Sequence, residues 1–236
     1  MTTTLKPILF LDVDGVLNAF APVRPHVKRQ AGGRKVKGKF VPFNLHFDNE
    51  VADMVLALSE HFEIVWATMW NHAANAEIAP LLGLHEFPVM VCNHNVGWDM
   101  AVAEGTDTFD IHRLWYAKTP LIPTYAAGRP FAWLDDDHSS YDQRWLAEHG
   151  VEQPFLLVRT DADYGVQWDD VDALITWARN LAAGELTSPN GYQGFKAVVP
   201  VHDPEPVLWF EEDETPIDWE SEEVQGFLAA LEDDSK

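Results

Sequence analysis

Ile8-Leu9-Phe10-Leu11-Asp12-Val13-Asp14-Gly15-Val16-Leu17-Asn18 constrains this chain more than any other stretch: an apolar run stops at two carboxylates one residue apart, and a glycine follows. Such a run reads as a buried strand whose end delivers a reaction centre. Alternate side chains of an extended strand share a face, so Asp12 and Asp14 start on the same side, and Gly15 lets the chain turn sharply beyond them. Two like charges held that close need a counter-charge. A hard divalent cation supplies one, because Mg²⁺ takes carboxylate and carbonyl oxygens and keeps positions open for a phosphate.

Three later segments follow the same logic. Glu63-Ile64-Val65-Trp66-Ala67-Thr68 is a second apolar run, ending in a hydroxyl residue, and Phe131-Ala132-Trp133-Leu134-Asp135-Asp136-Asp137 is a third, ending in an acidic cluster. Lys118 lies between them. With these pieces in this order, the chain resembles the haloacid dehalogenase (HAD) superfamily of phosphotransferases, whose first motif is Asp-x-Asp-Gly after a hydrophobic strand. Trp66-Ala67-Thr68-Met69-Trp70, with Ala74-Asn75 downstream, is similar to a small-cap branch of bacterial and phage members, mostly uncharacterised, over about residues 6 to 180. That branch implies no substrate.

The resemblance implies a Mg²⁺-dependent phosphomonoesterase. Asp12 would attack phosphorus and form an aspartyl-phosphate, with Asp14 as general acid to the leaving oxygen and then general base to water. Mg²⁺ would be held by Asp12, the backbone carbonyl of Asp14 and Asp136, with Asp135 either a further ligand or a supporting group and Asp137 outside the site. Thr68 and Lys118 would stabilise charge on the phosphoryl oxygens. Trp70, His72 and Asn75, just after Thr68, are candidates for lining the substrate pocket, and packing is the alternative role for the tryptophan.

At 236 residues, 47% of them apolar, the chain has the size of one α/β domain with a large core and an accessory segment. The single cysteine, Cys92, excludes an internal disulfide framework and reads as a small buried hydrophobe. The ten histidines show no clustered metal-ligand spacing, which argues against zinc. The first strand follows the N-terminus too closely for a signal peptide and no apolar stretch nears membrane-spanning length, so a cytoplasmic protein is expected.

The net charge of −22 argues against a large nucleic-acid footprint, but it is unevenly placed. No acidic residue occurs between Asp14 and Asp48, whereas Arg24, Lys28, Arg29, Arg34, Lys35, Lys37 and Lys39 all fall there. Residues 203 to 236 hold thirteen Asp or Glu against Lys236 alone.

Strand and helix signals alternate, which predicts a three-layer Rossmann-like parallel sheet with helices on both faces. The expected core spans 1–184, with a short basic flap or cap insert at 18–47 whose alternating Lys39 to Phe47 suggests a hairpin. Helices are expected at 48–61, 72–82, 109–118, around Arg144 to Leu146 and at 169–183, the last with Val171, Leu174, Ile175, Ala178 and Leu181 inward. Phe87 to Val91 and Phe155 to Val158 read as strands, and Cys92 to Thr108 as irregular. Residues 185–236 read as an acidic extension with aromatics such as Trp209 and Trp219, partly disordered or docked on a partner.

The substrate expected from these features is a small phosphorylated metabolite or nucleotide, with Lys35, Lys37 and Lys39 steering it. A nucleic-acid end, 3′ or 5′, is the catalytic alternative, favoured by the basic insert and opposed by the overall charge. A non-catalytic binding protein acting through its acidic aromatic tail is the reading from another class.

Overall fold

β1 (Ile8–Leu11) is buried at every residue and pairs in parallel with β4 (Glu63–Trp66) on one side and β5 (Phe131–Asp135) on the other. β6 (Phe155–Arg159) adds to the far side of β5, giving a parallel sheet in the order β4-β1-β5-β6. These strands read as unbroken apolar runs because both of their faces are covered. The computed structural model describes residues 5–21, 25–36, 39–92, 118–138 and 140–186, so 93–117 and the acidic extension beyond 186 lie outside the described residues.

Alternation along the strands sorts the core into two layers. Leu9, Leu11, Ile64, Trp66, Ala132, Leu134, Leu156 and Val158 face one side, where α1 (Val51–Ser59), α2 (Ala79–Leu82) and α5 (Trp168–Ala182) pack. Ile8, Phe10, Val65, Phe131, Trp133, Phe155 and Leu157 face the other, against α3 (Lys118–Ala126) and α4 (Ser140–Glu148). The expected three-layer α/β architecture is the one observed.

The insert after β1 is an antiparallel hairpin of β2 (His26–Val36) and β3 (Lys39–Asp48). Gly32-Gly33 lies within β2, where the pairing register shifts between Ala31 and Gly33. The root of β3 joins the body through Asn18, which bridges to Phe47, and Leu45 and Phe47 enter the core.

Several elements depart from the sequence expectation for physical reasons. Of the helix expected at 109–118, residues 109–117 lie outside the described residues; from Lys118 the described helix runs to Ala126 across two prolines. Pro120 falls in the first turn, where its missing N–H has no partner to lose, and Pro123 forgoes one bond inside. The expected helix at 72–82 is a π turn (Ala74–Ile78) running into α2, ahead of Pro80, which has no N–H to continue an α ladder. Phe87 to Val91 forms only an isolated bridge, Trp66 with Val89. In α5, Ile175 and Leu181 are only partly buried, while Trp177 is fully buried and stacks on Phe62 with ring centroids 6.2 Å apart. Glu50 is the N-cap of α1, two residues inside the expected start at 48, and the Asp48 side chain accepts from the Glu50 N–H.

Candidate active site

Because β4, β1 and β5 are adjacent and parallel, the residues that follow them converge on one edge of the sheet. Asp12 follows β1, Thr68 comes two residues after β4, and Asp135 ends β5 with Asp136 beside it. Carboxylate oxygens of Asp12, Asp135 and Asp136 lie within 4.8 Å of one another. Lys118 reaches between two of them: its Nζ is 2.6 Å from Asp12 Oδ2 and 2.8 Å from Asp135 Oδ2. Three of the four groups are buried, with Lys118 3%, Asp12 7% and Asp135 0% exposed, and Asp136 is half-buried.

Local backbone chemistry sets the turn after Asp12. The Val13 carbonyl accepts from the N–H groups of Val16, Leu17 and Asn18, which folds the chain back at Gly15. Gly15 has φ +70°, and a Cβ there would stand 2.3 Å from Asp136 Cγ. Glycine therefore serves the left-handed backbone and also leaves room for a carboxylate of the cluster. The segment after β6 braces this turn: Thr160 Oγ1 donates to the Gly15 carbonyl (2.8 Å), and the Val166 N–H donates to Val16 O (2.8 Å). Arg159 Nε holds the backbone carbonyl of Asp136 at 2.8 Å.

The carboxylates differ in what already engages them. Asp135 Oδ2 accepts from Lys118 and from Trp133 Nε1 (2.9 Å), and its Oδ1 accepts from the Asp137 N–H (3.0 Å). Burial alone would raise the Asp135 pKa, but Lys118 and His138 hold it below the ordinary carboxylate range. Burial pushes Asp12 up to about 7, against the opposing pull of Lys118 and a hydrogen bond from Thr68. Asp136 is pushed up to about 8, first by burial and then by Asp137, Asp135 and Asp12. Burial works against protonated Lys118, yet the two carboxylates raise its pKa well above the ordinary value. One ammonium thus pairs with two of the three clustered carboxylates, and Asp12 and Asp136 resist ionisation.

That imbalance suits a hard divalent cation. An all-oxygen donor set with surplus negative charge, too close to ionise fully in the bare protein, is what such an ion relieves, and its charge would reverse the upward shifts of Asp12 and Asp136. Asp14 is not part of the cluster. Its side chain is half-buried and accepts two hydrogen bonds, from Asn18 Nδ2 (2.8 Å) and Trp70 Nε1 (2.8 Å).

The remaining candidates from sequence are placed as follows. Trp70 reaches Asp14 through its indole N–H. The Asn75 carboxamide is engaged elsewhere: it accepts from Trp66 Nε1 (2.7 Å) and the Phe87 N–H (3.0 Å) and donates to Phe87 O (2.7 Å), fastening the π turn to the edge of the sheet. His72 is exposed. Lys35 and Lys39 lie on the paired strands of the hairpin, and Lys37 lies outside the described residues. Cys92 is buried, which pushes its thiol up to about 12 and leaves it a poor nucleophile. Asn18, Trp133 and Thr160 were not singled out from the sequence. Asn18 stood within the first motif, but no spacing signal ties Trp133 or Thr160 to the carboxylates.

Among the described residues no helix is long and apolar enough to cross a membrane. No curated protein matches the chain. Residues 8–171, from the start of β1 into α5, match the model of a family described as the HAD domain in Swiss Army Knife RNA repair proteins. With most of its length matched and the parallel sheet in place, the chain belongs to this family of HAD domains, a fold of phosphatase-type hydrolases.

Proposed function

We propose that this protein is a Mg²⁺-dependent phosphomonoesterase that removes phosphate from RNA ends through an aspartyl-phosphate on Asp12. The observation that carries the reading is the cluster of Asp12, Asp135 and Asp136, with Lys118 bridging the first two, Thr68 bonded to Asp12 and Asp14 beside it. The family's description as part of RNA repair proteins favours a nucleic-acid end over a free metabolite. The basic hairpin that follows Asp14 supports an anionic substrate, while the net charge of −22 restricts contact to the end of a strand.

In the first step an Asp12 carboxylate oxygen attacks phosphorus in line. The new O–P bond forms as the ester P–O bond breaks, and the leaving oxygen takes the bonding pair and a proton from the Asp14 carboxyl. In the second step water attacks phosphorus and passes its proton to Asp14. The Asp12–phosphorus bond breaks, releasing inorganic phosphate. Lys118 and Thr68 stabilise charge on the transferred group, and Asp135, with each of its oxygens accepting hydrogen bonds, holds Lys118 in place. Asp12 and Asp136, with the Asp14 backbone carbonyl, would hold Mg²⁺, which when bound supplies positive charge to the phosphoryl oxygens.

The test is phosphate release from 3′- and 5′-phosphorylated oligoribonucleotides, matched oligodeoxynucleotides and mononucleotides, with Mg²⁺ and with chelator. Release from RNA ends that needs the metal and is abolished by Asp12→Asn supports the proposal. Hydrolysis of mononucleotides alone would move the substrate to small phosphorylated molecules, and no metal-dependent release from any substrate would overturn the phosphatase reading.

A further inference from the structure

We infer that Trp70 and Asn18 are positioning residues that clamp Asp14 for proton transfer, and that Asn18 ties this clamp to the root of the β2–β3 hairpin. The inference rests on the phosphatase reading above and deepens it. Asp14 Oδ2 accepts from the Trp70 indole and Oδ1 from the Asn18 carboxamide, each at 2.8 Å. Both assignments are chemically forced. An indole N–H can only donate. The Asn18 Oδ1 accepts from the His46 backbone N–H at 2.8 Å, and that group too can only donate, so the Asn18 amide nitrogen must face Asp14.

The two donors come from different parts of the fold. Trp70 follows β4 and sits two residues beyond Thr68, whose Oγ1 accepts from the Trp70 N–H at 3.4 Å. Asn18 closes the turn after Asp14 and pairs with Phe47 of β3. Neither donor is charged, so neither adds a fixed charge beside the carboxyl. With one lone pair of each oxygen engaged, the carboxyl plane is fixed and any proton it carries is confined to the remaining positions. Proton transfer to a leaving oxygen is sensitive to such placement, since displacing a catalytic group by about an ångström costs about 10²-fold in rate. Because Asn18 accepts from β3, a movement of the hairpin root would reach Asp14 through one side chain.

The test uses a series of aryl phosphates of one shape, from p-nitrophenyl to phenyl phosphate, in which only the need for an acid changes. Values of kcat/KM report phosphoenzyme formation, where the leaving group departs. Trp70→Phe keeps the ring and removes the donor; Asn18→Ala removes the other donor and the hairpin link. Each variant should lose at least about tenfold more kcat/KM on phenyl phosphate than on p-nitrophenyl phosphate, so that the dependence on leaving group steepens. A purely structural or substrate-stacking role would lower the whole series equally, and that result, or no loss in either variant, would overturn the inference. If Asn18→Ala fails to fold, Trp70→Phe decides alone. A wild-type protein that hydrolyses none of the series and no phosphorylated RNA end would instead overturn the phosphatase reading, and the inference with it.

Discussion

Replacing Lys118 with methionine removes the ammonium that pairs with Asp12 and Asp135 while nearly keeping its length and apolar stem. Asp12 Oδ2 and Asp135 Oδ2 lose a partner at 2.6 Å and 2.8 Å, and both residues are almost fully buried from the solvent that could replace it. Breaking a buried pair from one side costs about 3–5 kcal/mol, since the remaining charge is left without a counter-ion. For a domain of this size that corresponds to a drop of roughly 6–20 °C in melting temperature. The pH dependence has a definite sign. Without Lys118, Asp135 loses the interaction that now lowers its pKa, and Asp12, already at about 7, rises further. A carboxyl whose folded pKa is raised contributes stability that is present below its unfolded value, near 4, and lost as pH rises through the folded pKa. The deficit of the variant should therefore be largest at pH 8 and shrink towards pH 5.5. Thermal melts of wild type and Lys118→Met in chelator, and again in Mg²⁺, measure it; the metal should recover part of the loss. A variant melting within about 2 °C of wild type in chelator at pH 8 would refute the argument that this ion pair holds the strand ends together.

Further outcomes follow from the same geometry. Because Asp12 and Asp136 stand at about 7 and about 8, protons compete with Mg²⁺ across that range, so the thermal shift produced by Mg²⁺ should be larger at pH 8.5 than at pH 6; equal shifts would remove these carboxylates from the metal site. Gly15→Ala should cost about 1–2 kcal/mol from backbone strain alone, and its Cβ would displace Asp136, so titration by thermal shift should show Mg²⁺ affinity falling more than stability does. Changing Lys35, Lys37 and Lys39 together to Ser should raise KM for a phosphorylated oligoribonucleotide more than for a nucleoside monophosphate, with kcat little altered and the difference fading at high salt.

What was legible in the sequence follows from the sheet. A parallel strand covered on both faces must be apolar throughout, so β1, β4, β5 and β6 stand out as runs, and each stops where polar residues begin. Elements held by tertiary contacts were harder to see. Helix α3 carries Pro120 and Pro123, which local propensity counts against a helix, yet Leu121, Ile122 and Ala126 bury against the sheet and outweigh one lost bond. Trp177 falls on the same side of α5 as Val171, Leu174 and Ala178, but a tryptophan carries a polar N–H, and only its stacking on Phe62 shows that the ring belongs to the core.

The site divides along the same line. Asp12, Thr68 and the Asp135-Asp136 pair could be read because each sits at or just after the end of a run, and parallel pairing of neighbouring strands turns three separate strand ends into one place. Contacts between those ends depend on rotamers and on the path of each loop, which leave no periodic trace. Trp70 lies 56 residues from Asp14, and only the side-by-side pairing of β1 with β4 brings the indole to that carboxylate. Asn75 shows the converse. Its position after Thr68 suggests a substrate contact, but the Trp66 indole and the Phe87 backbone take its hydrogen-bonding capacity first. A buried Trp N–H needs an acceptor or bears a desolvation cost, as the unpartnered Trp177 Nε1 does, and Trp66 lies inside the core with Asn75 at the end of its ring. The same requirement in Trp70 is met by Asp14, so one motif, Trp66-Ala67-Thr68-Met69-Trp70, uses its two indoles in opposite ways: one fixes the scaffold, and the other fixes the residue proposed to move the proton.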